Sequence, residues 1–217
     1  TALTYNWNPI PDVTNGIDNE VMVKVAPLDT TNIFEDTSDA NLSIKGSLTL
    51  TAPNTAVVWV LGGAAQGVTW TKTGSIGNVE LHYSTDGGGT FPAGKLIATG
   101  INPVTGTPYS WTIPDDMTHQ ARVRVRLIAD NIINDMSDVN FEIKGSLTLT
   151  APNGTETGAN AWKVGETNRN ITWTRSGTTG DMAGNVELRY STDGGLTYPN
   201  LINNTTLAGA LSYNWNP

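Results

Sequence analysis

The chain has 217 residues, 23 of them Gly and 11 Pro, with 15% charged and 38% hydrophobic residues, no Cys and a net charge of −8. The missing Cys excludes a disulfide framework, a Cys-based zinc site, c-type haem attachment and a thiol nucleophile, and the acidic balance argues against nucleic acid, which needs a basic face. No apolar run reaches the length of a membrane span, and Thr1 reads as a mature or internal start with no signal peptide.

Thr, Asn and Gly are weak helix formers, and the apolar residues come in short alternating bursts, so the chain reads as all-β. Tyr5-Asn-Trp7, Val21-Met-Val-Lys-Val25 and Leu42-Ser-Ile44 are the first predicted strands. Seven follow: Ser47–Ala52, Val68–Thr71, Asn78–Tyr83, Lys95–Ala98, Tyr109–Ile113, Arg122–Leu127 and Asn140–Ile143, the sixth alternating most cleanly. Gly and Pro clusters separate them. The remaining strands, ending at Tyr213-Asn-Trp215, repeat the earlier ones.

That repetition organises the molecule. Ser43–Asn54 returns as Glu142–Asn153, Val68–Gly74 as Ile171–Gly177, and Gly77–Gly88 as Gly184–Gly195. The period is about 100 residues, the size of one β-sandwich. Tyr5-Asn-Trp-Asn-Pro9 matches Tyr213-Asn-Trp-Asn-Pro217, so the two ends share one position in the repeat. Residues 1–45 therefore read as the C-terminal half of an immunoglobulin-like repeat. Residues 46–145 read as a complete seven-stranded antiparallel sandwich, and residues 146–217 as the N-terminal part of the next repeat. Lys45-Gly46 and Lys144-Gly145 join successive repeats, and linkers this short predict stiff joints.

Trp162-Lys-Val-Gly165, Ile171-Thr-Trp173, Asn185–Gly195, Trp111-Thr-Ile-Pro114 and Ser137–Ile143 carry a resemblance. They resemble tandem Ig-like or fibronectin-like repeats of prokaryotic cell-surface and extracellular filament proteins. They are also similar to the Ser/Thr-rich cell-wall domain of the Kre9/Knh1 type. The resemblance implies a sandwich fold and an extracellular or cell-surface location, and it implies no activity.

Each conspicuous residue type has a structural reading beside a functional one. Ser84–Phe91 and Ser191–Tyr198 resemble the Asp-box of sialidases, a hairpin device in which Asp86 and Asp193 accept turn N–H groups. The seven Trp residues fall into three sets in register: Trp7, Trp111 and Trp215; Trp70 and Trp173; Trp59 and Trp162. The first two sets are predicted as core. Trp59 and Trp162 lie near a strand edge, where exposure would suit a carbohydrate platform. Asp36, Asp39, Asp135 and Asp138 are weak calcium candidates, and strand-end turns explain the same residues. His82 aligns with Arg189 and is predicted to face solvent, and neither it nor His119 belongs to a triad or metal motif. Sequons such as Asn41-Leu-Ser43 and Asn170-Ile-Thr172 are glycosylation acceptors only in a source that modifies its surface proteins.

The sequence thus predicts a non-enzymatic structural repeat with no cofactor. It would belong to an extracellular filament, stalk or adhesin that associates with itself head to tail, by completing split sandwiches between copies. The alternative is an accessory module that binds a surface polysaccharide or a protein.

Overall fold

A computed structural model describes residues 3–12, 17–28, 34–178 and 180–216. Among these residues the chain is all-β, with eighteen strands and no α-helix. The N-terminal segment carries β1 (Ile17–Val21), β2 (Lys24–Val25), β3 (Asp36–Thr37) and β4 (Leu42–Lys45). The middle repeat carries β5 (Ser47–Ala52), β6 (Val58–Val60), β7 (Gln66–Thr73), β8 (Val79–Ser84), β9 (Leu96–Ile101), β10 (Tyr109–Trp111), β11 (Thr118–Leu127), β12 (Asn134–Met136) and β13 (Phe141–Lys144). The last segment carries β14 (Ser146–Ala151), β15 (Arg169–Ser176), β16 (Asn185–Tyr190), β17 (Asn200–Leu207) and β18 (Ser212–Trp215).

Alternation sets which faces are buried, because successive side chains of a strand point to opposite sides. In β5, Leu48 and Leu50 are buried and the Ser and Thr residues between them are exposed. In β11, Ala121, Val123, Val125 and Leu127 are buried while Arg122, Arg124 and Arg126 lie half-buried on the other face.

Two compact units are present, and they cut across the sequence repeats. The first comprises Thr1–Thr55, Gly67–Trp111 and Arg122–Asn140. Here β7 lies between β10 and β5, β8 lies between β9 and β11, and β12 pairs with Arg124–Arg126 of β11. The rings of Tyr83 on β8 and Trp111 on β10 meet at 5.1 Å, so the two sheets of this unit share a core. Trp70 donates its indole N–H to the Pro103 carbonyl over 3.2 Å, which satisfies the one polar atom that this large side chain buries. In the N-terminal segment, β1 pairs with β4 and β2 with β3, both antiparallel.

The second unit comprises Ala56–Gln66, Thr112–Ala121 and Phe141–Pro217. Phe141 and Ile143 of β13 pair with Ala121 and Thr118. On its other edge β13 runs parallel to β6, and Trp59 stacks against Phe141 at 4.6 Å. In the last segment β15 lies between β14 and β18, and β16 pairs with β17. Trp173 repeats the role of Trp70, donating to the Ala208 carbonyl over 2.9 Å.

Several sequence expectations are corrected. The middle repeat holds nine strands where seven were predicted, and the β6–β13 pair is parallel. Val58-Trp-Val60 and Asn134-Asp-Met136 were missed as strands because their pairing depends on partners distant in sequence. Tyr5–Trp7 is not a strand, and Val21–Val25 divides between the end of β1 and β2. Thr112 and Ile113 fall outside β10.

Candidate functional site

The feature built most specifically into this chain is the joint between repeats. Each joint is a single glycine: β4 passes into β5 through Gly46, and β13 into β14 through Gly145. A Cβ on Gly145 would lie 2.4 Å from the Ser176 carbonyl oxygen, so the close approach of β14 and β15 at this point requires glycine.

A carboxylate closes each joint. At the first, Ser75 donates its backbone N–H (3.0 Å) and its hydroxyl (2.8 Å) to Asp12. At the second, Thr178 donates its N–H (2.7 Å) and its hydroxyl (2.5 Å) to Asp115. The same local sequences supply both. Ile10-Pro-Asp12 and Ile113-Pro-Asp115 carry the acceptor, and Gly74-Ser75 and Gly177-Thr178 carry the donor. Gly74 and Gly177 both have positive φ (79° and 91°), which turns the following N–H and hydroxyl toward the carboxylate. The Ser75 N–H and hydroxyl hold the Asp12 carboxyl below its ordinary range, because both donors favour the ionised form. Lys45 adds a 2.6 Å ion pair with Asp130 at the first joint. Beside the second, Glu142 takes Lys144 at 2.5 Å and His119 at 3.3 Å. Sequence reasoning missed both clamps, although the recurrence of Ile-Pro-Asp and of Gly-Ser or Gly-Thr was visible.

The predicted site residues take structural positions. Asp86 accepts the Ser84 hydroxyl, the Thr90 hydroxyl (2.6 Å) and the Thr90 N–H (3.0 Å). Asp193 accepts the hydroxyls of Ser191 and Thr197 (both 2.5 Å) and the Thr197 N–H (3.0 Å). These donors, the hydroxyls of Ser84 and Ser191 first, hold both carboxyls well below the usual carboxylate range.

Trp70, Trp111 and Trp173 are buried. Trp7 is 41% exposed, against 5% for its equivalent Trp111, so its prediction as core is corrected: Tyr5–Trp7 makes no strand, whereas Tyr109–Trp111 is β10. Trp215 is half-buried, touching Trp162 (6.0 Å) and Tyr190 (5.6 Å). Trp59 is buried against Phe141, and Trp162 is half-buried with Arg169 over its ring.

The acidic candidates do not converge. The Asp135 carboxylate accepts the Leu50 N–H over 2.7 Å, tying β12 to β5. Asp138 and Asn54 exchange two hydrogen bonds of 2.6 Å. Asp36 accepts the N–H of Thr37, and Asp39 is exposed. Among the described residues no group of three or more His, Asp or Glu side chains is placed to hold a metal. His82 is buried, contrary to its solvent-facing prediction. It sits on central strand β8, with Arg124 of β11 and Leu96 of β9 as cross-strand neighbours, and it hydrogen-bonds Glu80, which pairs with Arg126. Among the described residues no helix is long and apolar enough to cross a membrane.

No protein-family model, no curated protein and no solved structure matches this chain.

Proposed function

We propose that this chain is the structural repeat region of an extracellular filament, stalk or adhesin. Its repeats are read as immunoglobulin-like sandwiches, and its setting is the cell surface. The observation that carries the reading is the duplicated clamp, Asp12 on Ser75 and Asp115 on Thr178. A sequence that writes the same one-residue linker and the same two-bond lock at successive joints holds a fixed joint geometry. Load-bearing shafts need that property, and catalysis does not. The recurrent unusual residues support the same reading, since Asp86, Asp193, Trp70 and Trp173 each recur with a structural task.

Force spectroscopy on the chain tests this. A load-bearing repeat resists extension until it unfolds in a discrete step. Gradual lengthening at low force, through a joint that opens before any repeat unfolds, would overturn the reading.

A second reading draws on Trp162, Tyr190 and Trp215, which line an open cleft in the last segment and could stack on a surface polysaccharide. The middle repeat argues against it. There the equivalents of these three residues, Trp59, Tyr83 and Trp111, are all buried. A saturable signal on a glycan array, lost in Trp162→Ala, would favour the binding module.

A further inference from the structure

We propose that Met117, His119 and Met182 form a binding site for a soft monovalent cation of the Cu(I) class, in the open cleft beside Gly145. The inference goes beyond the structural reading above and does not depend on it.

The chain holds four Met and two His. Two of the Met and one of the His line this single cleft, together with Thr118, Ile143 and Lys144. All of them belong to the second compact unit. Strand pairing brings them there. Thr118 at the start of β11 pairs with Ile143 of β13, so Met117 and Gly145 leave the sheet at the same end. Met117 Sδ accepts the Gly145 N–H over 3.0 Å, which aims the sulfur. A thioether sulfur has two lone pairs, and this bond engages one.

Met182 arrives from the short 3-10 turn Gly180–Ala183, which Arg175 of β15 holds by donating to the Met182 carbonyl over 2.5 Å. Met117 Sδ and Met182 Cγ lie 3.0 and 2.9 Å from one point, the position that a Cβ on Gly145 would take. The joint glycine is therefore also the floor on which two thioether side chains converge.

His119 supplies a nitrogen. Its Nδ1 lies 3.3 Å from a Glu142 carboxylate oxygen. That oxygen only accepts, so Nδ1 carries the proton and Nε2 keeps the lone pair that binds a metal. A carboxylate behind the imidazole is the usual outer partner of a metal-bound His. The His119 side chain is 71% exposed, so an ion reaches it directly from solvent.

The donor set selects the ion. Two thioethers and a neutral imidazole are soft and uncharged, which suits Cu(I) and disfavours Ca²⁺ and Mg²⁺, since those take oxygen ligands. Lys144 brings an ammonium to the cleft, and Glu142 takes it at 2.5 Å, which balances its charge. The cleft itself belongs to the joint. The first joint has one too, lined by Ile10, Ile44 and Thr73 among others, with the whole middle repeat following it. Its described lining residues include no Met and no His, so the soft donors distinguish the second joint.

The test titrates Ag(I), a redox-inert stand-in for Cu(I), into the full chain isotope-labelled at its methionine methyls, in chloride-free buffer. The Met117 and Met182 signals are expected to shift together and saturate at one equivalent, while those of Met22 and Met136, which lie outside the cleft, stay in place. Met117→Leu and Met182→Leu conserve volume and keep the fold, and each is expected to weaken Ag(I) binding by about tenfold or more. His119→Gln is expected to weaken it in the same sense. Cu(I) competed from a chromogenic chelator under anaerobic conditions is expected to rank the variants alike. Four methyl signals that shift alike, a Zn(II) response as large as that to Ag(I), or an affinity unchanged in the chain carrying both Leu substitutions overturns the proposal.

Discussion

Asp115 and Thr178 meet through two hydrogen bonds on one carboxylate oxygen, the Thr178 N–H at 2.7 Å and its hydroxyl at 2.5 Å. Asp12 and Ser75 make the corresponding pair one repeat earlier, dividing the two bonds between the two oxygens. A two-point contact fixes direction as well as distance. It does so where the chain crosses from one repeat to the next on a single glycine.

Asp115→Ala should therefore loosen the joint without unfolding the repeats. The Thr178 amide should exchange with solvent faster by roughly tenfold, the equivalent of one lost hydrogen bond. Amides in the centre of β8 should keep their wild-type rates. Hydrogen exchange read by NMR checks both, and equal acceleration at the two places would contradict the joint-specific role.

Gly145→Ala should destabilise the fold by about 1–3 kcal/mol, because the new methyl meets backbone that cannot step aside. The contact in question is the Ser176 carbonyl oxygen at 2.4 Å. Gly94→Ala is the control, since nothing lies within 4 Å of its Cβ position. Urea denaturation of the two variants should separate them clearly.

Removing a core tryptophan should cost about 3–5 kcal/mol in Trp70→Ala, whereas half-exposed Trp7 should cost far less. The first is 3% exposed and hydrogen-bonded to Pro103, the second 41% exposed. Chemical denaturation measures both.

The two turn carboxylates set an acid limit. The folded pKa values of Asp86 and Asp193 lie below the ordinary 3.8, so their hydrogen bonds contribute fully above that value. The contribution is lost only as pH falls through the depressed folded values. Asp12 behaves in the same sense at the first joint. Carboxyl carbon shifts followed by NMR should place the midpoints of Asp86 and Asp193 below that of an unstructured Asp. A midpoint at the ordinary value would contradict the hydrogen-bonded turn.

What was legible in the sequence was local and periodic. Ser47–Ala52 and Arg122–Leu127 alternate, so their strands and buried faces could be read directly. The recurrence of Trp70 as Trp173 marked core positions. The unreadable parts depend on partners far along the chain. Trp59 lies between two exposed valines, and its strand exists because β13 pairs with it. Asp135 is a weak calcium candidate in the sequence, with a strand-end turn as its other reading, and its carboxylate accepts the Leu50 N–H, a partner 85 residues away. His82 looked exposed by alignment with Arg189, and it is buried because β8 is flanked on both sides. The joint clamp spans 63 residues and two repeats, beyond the reach of any local pattern.

The central claim is a fixed joint, and spin-label distances across the second joint test it most directly. Labels at Val58→Cys and Thr174→Cys sit on exposed positions of β6 and β15. Pulsed electron spin resonance should give one narrow distance distribution at neutral pH, and Asp115→Ala should broaden it. A broad distribution in the otherwise wild-type chain, unchanged by the substitution, would contradict the account.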